Sequence, residues 1–214
     1  PVLANVVLDE LDWELERRNL RFARYADDCQ MYVGSHRAGE RVMVSLTRFI
    51  EDSLRLTVNT RKSAVDRPWK RSFLGFTLSR KGQRLKVADK AITKLKTQIR
   101  LLSSRTRGHS LARVIADLKE TLIGWKEYFD AAEVLSPLRD LDKWIRRRLR
   151  SYVWKQWGRR RYRELRKRGV PVRLAWNTAK SAHGQWRLSH SLALRHALPA
   201  RLFRSYGLPE LAVR

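Results

Sequence analysis

The chain has 214 residues, of which 43% are hydrophobic, enough for one ordinary domain or two small ones with real cores. Lys and Arg outnumber Asp and Glu by 47 to 21, and the resulting net charge of +26 indicates a polyanionic partner. No apolar stretch approaches the roughly 18 to 20 residues that a membrane-spanning helix needs, which excludes a membrane-spanning role. Cys29 is the only cysteine, so an internal disulfide and a paired-cysteine zinc site are excluded and a reducing compartment is favoured.

The first part of the chain alternates between helical and strand-like patterns. Apolar residues at helical spacing predict amphipathic helices over 2–19, with Glu14 facing outward, and over 41–54. Strand-like runs over 21–25 and 29–33 flank Ala26-Asp27-Asp28 and predict a hairpin. Strand patterns then follow over 55–58, 72–78 and 83–87, the last two predicting a second hairpin around Lys81-Gly82.

After residue 88 the periodicity changes to that of helices. The pattern predicts three long helices over about 88–103, 110–130 and 136–157, with shorter helices from Pro171 onward. The balance of charge also changes along the chain. Residues 1–66 contain ten basic and eleven acidic residues, whereas residues 67–214 contain thirty-seven and ten. The basic second part is therefore predicted to bind the polyanion.

Asp27 and Asp28 are adjacent carboxylates at a predicted hairpin tip. Two such charges repel each other, and a divalent cation between them would relieve the repulsion. Phosphoryl transfer by the two-metal route uses carboxylates of this kind to hold Mg²⁺ ions. Asp is also a favoured turn residue for purely local reasons, so the pair by itself leaves both interpretations open.

The segment Phe22-Ala23-Arg24-Tyr25-Ala26-Asp27-Asp28 resembles the Tyr-Ala-Asp-Asp hairpin of group II intron-encoded reverse transcriptases. Other segments resemble that family in the same order along essentially the whole chain. They are Leu3–Asp12 before the hairpin, Leu56–Ser63 with its Leu-x-x-Asn-x-x-Lys-Ser pattern, Phe73-Leu74-Gly75-Phe76, and, in the maturase-specific or thumb region, Gly124–Phe129, Leu141–Arg150 and Trp154–Trp157.

The resemblance implies an α+β chain. Residues 1–87 would be the C-terminal part of a reverse transcriptase palm, with short antiparallel strands and helices. Residues 88–214 would be an all-α thumb or maturase-specific RNA-binding domain. The implied activity is RNA-directed DNA polymerisation, a nucleotidyl transfer dependent on Mg²⁺ or Mn²⁺, coupled to intron splicing and mobility. The implied partners are group II intron RNA, an RNA template with its DNA primer, and dNTPs, in a bacterial cytoplasm.

Within the resemblance, Asp27 and Asp28 would be the catalytic metal ligands. Substrate or primer contacts would come from Tyr25, Asn59, Lys62, Phe73, Leu74 and Gly75. Local interpretations remain open for several of these residues: Tyr25 packing on the sheet, Lys62 as a solvated loop lysine, and Gly75 easing a turn.

The family's third catalytic carboxylate and its template-binding fingers precede the first helix of this chain. The resemblance therefore implies the C-terminal portion of an enzyme, which we expect not to polymerise alone. An upstream reverse transcriptase portion or a homodimer would complete it. The alternative is a non-enzymatic RNA-binding protein that assists splicing and retains the hairpin only as scaffold.

Between Lys143 and Arg187 there are sixteen basic residues and one acidic residue, Glu164. Three consecutive arginines cannot share one helical face, so some are expected to point to solvent and bind phosphate. The predicted RNA-binding residues are Arg146, Arg147, Arg148, Arg150, Lys155, Arg159, Arg160 and Arg161. The interleaved aromatic residues Trp144, Tyr152, Trp154, Trp157 and Tyr162 are predicted to pack in the core, with base stacking as the alternative.

Overall fold

The structure, a computed structural model, describes residues 2–80 and 84–213. It divides into two compact units, Pro1–Leu78 and Ser79–Arg214, called unit 1 and unit 2 below. The chain is mostly helical with two small antiparallel sheets, so the α+β prediction is confirmed. The assignment of palm and thumb stays a prediction. In the described part of the chain, no helix combines the length and the apolar character needed to cross a membrane.

Unit 1 contains two helices and a hairpin around a small core. Helix α1 spans Val2–Arg17, strands β1 (Arg21–Tyr25) and β2 (Asp28–Tyr32) form the hairpin, and α2 spans His36–Asp52. Leu11, Leu15 and Leu46 are buried between them. Phe22 and Met31, which lie opposite each other in the hairpin, pack against this cluster. The apolar periodicity of the sequence thus predicted both helices and the first hairpin, although α2 begins at His36 and not at Arg41.

Glu14 in α1 was predicted to face outward, and that prediction is wrong. Its side chain is 10% exposed and accepts hydrogen bonds from Arg17 Nε at 2.7 Å and Arg18 Nε at 2.6 Å. These two bonds lower the pKa of the carboxyl from 4.5 to about 2. Because the folded-state pKa lies below the ordinary value, the stabilisation is present above about pH 4.5 and disappears as the pH falls toward 2.

We therefore expect Glu14→Gln to lower the urea midpoint of unfolding at pH 7. As the pH falls from 4.5 to 2, the interval between the two pKa values, the urea midpoint of the variant should decrease less than that of the wild type. Glu16→Gln on the same helix is the control, because Glu16 is exposed and makes no side-chain bond in the described residues. Equal pH profiles for the wild type and Glu14→Gln would contradict the assignment.

Two strand predictions in the remainder of unit 1 are wrong. Residues 55–58 form no strand, because no neighbouring strand pairs with them. Only Phe76–Leu78 of the predicted strand 72–78 is a strand, β3. The residues before it form a tight turn in which the amides of Phe73 and Phe76 donate to each other's carbonyls, both at 2.9 Å. Leu74 and Gly75 have φ values of 50° and 79°, the left-handed conformation of a primed hairpin turn.

Unit 2 begins with β4 (Leu85–Val87) and three long helices. These are α3 (Asp89–Leu102), α4 (Leu111–Tyr128) and α5 (Ser136–Trp157), which confirms the three predicted helices within about two residues at each end. The Lys81-Gly82 turn lies outside the described residues, although the strands on both sides of it are present. Apolar residues spaced along each long helix are fully buried, among them Leu95, Leu118 and Leu149. These helices therefore form the core of unit 2.

Five shorter helices follow α5 and share its core. They are α6 (Arg161–Lys167), α7 (Val172–Lys180), α8 (Gln185–Leu188), α9 (Leu192–Ala197) and α10 (Ala200–Ser205). The segment after α10 is held by Asp142 in α5. The carboxylate of Asp142 is buried and accepts hydrogen bonds from the amides of Leu211 at 3.0 Å and Ala212 at 3.2 Å. This carboxylate links the C-terminal segment to the longest helix of the unit.

Candidate nucleic-acid interface

The hairpin of unit 1 presents Asp27 and Asp28 at its tip. Tyr25 pairs with Asp28 across a two-residue loop made of Ala26 and Asp27. Ala26 has a φ of 51°, a conformation that costs energy for a residue with a Cβ. Both carboxylates are exposed and make no hydrogen bond or ion pair with any described residue. The chain therefore tolerates local strain where it places two unpaired carboxylates in solvent.

Arg24 holds this tip against α1. Its guanidinium forms an ion pair with both oxygens of Asp12 and donates from Nη1 to the carbonyl of Ala26 at 3.1 Å. Asp12 is thus engaged in positioning the hairpin. Tyr25 is 63% exposed, so it does not pack within the described sheet. Its ring is available to a ligand beside the carboxylates.

The carboxylates at the hairpin tip are suitable ligands for a hard cation, but there are only two of them among the described residues. Mg²⁺ binds to one or two carboxylates and completes its shell with water and substrate phosphates, and Asp27 with Asp28 could supply such a pair. Within the described residues, no group of three or more His, Cys, Asp or Glu side chains comes together as a metal site. The two carboxylates therefore fit the role of partial ligands to Mg²⁺ or Mn²⁺.

The other predicted substrate residues of unit 1 lie on turns. Asn59 Oδ1 accepts a hydrogen bond from the amide of Lys62 at 3.2 Å, so its side chain shapes the turn that carries the exposed Lys62 side chain. Gln30 Nε2 in β2 donates to the carbonyl of Ser72 at 3.4 Å. This bond brings the Phe73–Phe76 turn beside the hairpin that carries Asp27 and Asp28. Gly75 lies at a position of the turn that requires a positive φ, and a glycine adopts this conformation without steric cost.

Arg146, Arg147 and Arg148 are partly exposed and each has a partner inside unit 2, whereas Arg159 and Arg160 of the second arginine run are exposed. Arg146 pairs with Glu210 at 3.6 Å. Arg147 donates from Nη2 to the carbonyl of Trp186 at 3.1 Å and lies 4.1 Å from the indole centroid of that residue. The reason is that other segments cover several sides of α5, and ten of its residues are buried.

Arg150 and Arg161 are also engaged within the unit. Arg150 Nε donates to the carbonyl of Leu198 at 3.0 Å, and burial lowers the pKa of its guanidinium to about 10. Arg161 Nε donates to the carbonyl of Trp154 at 3.4 Å and its guanidinium lies 4.9 Å from that indole centroid. Arg150 remains protonated near neutral pH, but the geometry of both arginines assigns them first to the fold.

A second group of cations surrounds Trp144 on α3 and α5. The distances from the indole centroid are 5.6 Å to Lys96 Nζ, 5.5 Å to Arg100 Cζ and 5.6 Å to Arg148 Cζ. None of these three residues forms an ion pair within the described residues. Burial, together with repulsion from Arg100 and Arg105, lowers the pKa of Arg148. We call Trp144, Lys96, Arg100, Arg105 and Arg148 the Trp144 cluster.

The Trp144 cluster is held rigidly at its buried end. Arg148 Nε donates to Ser103 Oγ at 2.9 Å, and Ser103 Oγ donates to the carbonyl of Ile99 at 2.5 Å. Arg105 Nη1 donates to Gln185 Oε1 at 2.5 Å. Repulsion among uncompensated cations falls when an anion binds between them, and a phosphate would be a suitable anion. Sequence reasoning missed Lys96, Arg100 and Arg105 because nothing local distinguishes them from solvated residues.

The end of α5 carries a second exposed cationic surface. Lys155, Arg159, Arg160 and Arg163 are exposed and make no hydrogen bond or ion pair with a described residue. We call these four residues the basic turn. Three of them, Lys155, Arg159 and Arg160, belong to the predicted RNA-binding set. The structure therefore separates the predicted set into cations with internal partners and cations that remain available.

The aromatic residues of α5 divide in the same way. Tyr152, Trp154 and Trp157 are buried, as the core-packing prediction stated. Tyr152 Oη donates to the carbonyl of His109 at 2.6 Å, and the rings of Trp154 and Trp157 pack edge to face with centroids 5.9 Å apart. Trp144 and Tyr162 are only partly buried. Among the five aromatic residues of the prediction, base stacking therefore remains open only for Trp144 and Tyr162, the latter on α6.

No curated protein sequence matches the chain. A family model described as the group II intron, maturase-specific domain matches residues 92–169. This range contains the Trp144 cluster, the basic turn, and the segments of α4 and α5 whose resemblance to that domain was predicted. Over residues 92–169, the chain is thus similar to the maturase-specific domain of group II introns.

Proposed function

We propose that this chain is a maturase-type protein whose unit 2 binds group II intron RNA and supports splicing. One observation carries the proposal: within the matched region, the Trp144 cluster brings together four cations that have no acidic partner among the described residues. The basic turn extends the same electrostatic character along α5. Contacts to phosphates and 2′-hydroxyls are sufficient to recognise the shape of structured RNA, and these cations are suited to such contacts.

Binding of the full 214-residue chain to a transcribed group II intron RNA tests this proposal. We expect the intron RNA to bind more tightly than transfer RNA or duplex DNA of similar length. Affinity should decrease steeply between about 50 and 200 mM salt, because each phosphate contact releases counterions. Splicing of the same RNA at low magnesium, with and without protein, provides the functional measurement. Equal affinity for all three nucleic acids and no effect on splicing would exclude the proposal.

As a second function, we propose that unit 1 contributes Asp27 and Asp28 to a nucleotidyl-transfer site that acts on a template–primer duplex and dNTPs. The exposed, unpaired carboxylates on a strained hairpin tip favour this function. Mg²⁺ or Mn²⁺ held there would stabilise the charge that develops on the transferred phosphate. Tyr25 would contact the substrate, and Lys62 would reach a phosphate. The Phe73–Phe76 turn beside the hairpin would contact the primer.

We expect the 214-residue chain alone to show no magnesium-dependent primer extension. If the coding sequence extends beyond these residues, we expect its complete product to extend a primer on an RNA template, and Asp27→Asn to abolish that activity while RNA affinity changes less than about threefold. Because Asn cannot supply a charged ligand, the loss should exceed roughly 100-fold. If the complete product is inactive but assists splicing, the hairpin is scaffold and the non-enzymatic alternative holds.

A further inference from the structure

Helix α7 lies outside the region that matches the maturase-specific domain and has one polar, exposed face. Arg173, Trp176, Asn177 and Lys180 occupy this face, and all four are exposed. Their spacing of three, four and seven residues places them on one side of the helix over about 11 Å. Ala175 and Thr178 are buried on the opposite side. We call these four residues the α7 stripe.

Trp176 is 52% exposed although a ring and a cation contact it. Tyr162 of α6 packs against it edge to face, with centroids 5.7 Å apart and an interplanar angle of 86°. Lys180 Nζ lies 4.9 Å from the indole centroid. The Tyr162 ring restrains the indole from the side, which gives Trp176 a defined orientation. A large aromatic side chain that is oriented but half exposed suits a planar ligand.

The charge around the α7 stripe indicates which planar ligand fits. From residue 165 to residue 209 the sequence contains nine Lys or Arg residues and no Asp or Glu. Arg173 and Lys180 form no ion pair within the described residues. Bases stack on aromatic faces in single-stranded RNA recognition, with nearby cations on the backbone. Trp186, by contrast, already has the Arg147 guanidinium 4.1 Å from its centroid.

We propose that the α7 stripe binds an unpaired segment of RNA by stacking one base on Trp176, with Arg173 and Lys180 on the flanking phosphates. This inference rests on the proposed RNA-binding function and extends it to a distinct class of RNA structure. The flexible Lys180 side chain moves from the indole face to a phosphate as the base takes its place. Asn177 offers both a donor and an acceptor to the base edge.

The test compares Trp176→Ala with the wild-type chain on two fluorescein-labelled probes, a single-stranded uridine 12-mer and a blunt RNA duplex of 20 base pairs. We expect the variant to bind the single strand about 5- to 150-fold more weakly, the fold-change that corresponds to one stacked base. Binding of the duplex should change less than twofold. The salt dependence for the single strand should stay the same, because stacking releases no counterions.

Two further variants keep the result interpretable. Trp176→Phe preserves a stacking face and should restore most of the affinity for the single strand. Trp13→Ala is the matched control, since Trp13 is 67% exposed but lies among acidic residues of α1. Circular dichroism and thermal unfolding of each variant confirm folding. No loss with Trp176→Ala, or an equal loss on both probes, would overturn the proposal.

The outcomes also separate this proposal from the broader one. If charge reversal in the Trp144 cluster weakens RNA binding while Trp176→Ala has no effect, only the stacking site fails. If neither change has an effect, RNA binding by unit 2 fails as well. If Trp176→Ala alters self-association in sedimentation velocity and leaves both RNA affinities unchanged, the stripe contacts a second copy of the chain and the stacking proposal is rejected.

Discussion

Replacing Lys96 and Arg100 together with glutamate should weaken binding of group II intron RNA by roughly 100-fold at about 0.1 M salt. Each side chain is expected to donate a charge-assisted hydrogen bond to a phosphate, worth about 1.5 kcal/mol or more. Two such contacts correspond to about two powers of ten in affinity. The reversed charges would add repulsion. Fluorescence anisotropy titrations at several salt concentrations measure both the affinity and its salt dependence.

The slope of log affinity against log salt should become shallower by about two in this variant, since two phosphate contacts are lost. The matched control is Lys90→Glu with Lys94→Glu, which makes the same change in net charge on the same helix. These lysines are exposed but lie about 80° to 160° around the α3 axis from Lys96 and Arg100. The control should lose less than about tenfold. Equal losses in both variants would show that only net charge matters.

Asp142→Ala should destabilise unit 2 by about 2 to 4 kcal/mol. The substitution removes the acceptor for the amides of Leu211 and Ala212, and a donor left without a partner in the interior costs about 1 to 3 kcal/mol. Urea unfolding monitored by circular dichroism gives the free energy of unfolding. Asp140→Ala is the control, because Asp140 is exposed on the same helix and pairs only with Lys143, at 3.0 Å. It should change the stability by less than about 1 kcal/mol.

Asp142→Asn should cost less than Asp142→Ala, since the amide oxygen still accepts a hydrogen bond. Burial raises the pKa of the Asp142 carboxyl, against the opposing effect of the Leu211 and Ala212 amides. A folded-state pKa above the unfolded value means that the stability contribution is full at low pH and decreases as the pH rises through the folded pKa. Wild-type stability should therefore fall relative to Asp142→Asn as the pH rises from about 4. An opposite trend would contradict the raised pKa.

The long helices of unit 2 were predictable because their signals are local. Each helix repeats apolar residues at a spacing that buries one face, Gly108 lies in the loop between α3 and α4, and Pro137 lies in the first turn of α5. The strand prediction over 55–58 failed for a complementary reason. A strand requires hydrogen bonds from a neighbouring strand, and no local pattern states whether that neighbour exists. For the same reason, the strand predicted over 72–78 did not anticipate the turn at Leu74 and Gly75.

The roles of the arginines could not be read from their spacing. Arg148 has its partner at Ser103 and Arg147 at Trp186, about 40 residues away in each direction. Lys155, Arg159 and Arg160 look the same in sequence but have no described partner. Whether a cation stabilises the fold or remains available for phosphate depends on the elements that pack beside it. The composition predicted a polyanion partner. The tertiary structure shows which basic residues have internal partners and which have none among the described residues.

The sequence by itself determined the helical second unit, the hairpin that carries Asp27 and Asp28, the excess of positive charge and the resemblance to maturase-specific segments. All of these depend on residue identity and short-range spacing. Only the tertiary structure decided that Lys96, Arg100 and Arg148 meet around Trp144, and that Trp176 remains half exposed beside the Tyr162 ring. These features depend on contacts between segments distant along the chain, and packing of the whole chain alone brings such segments together.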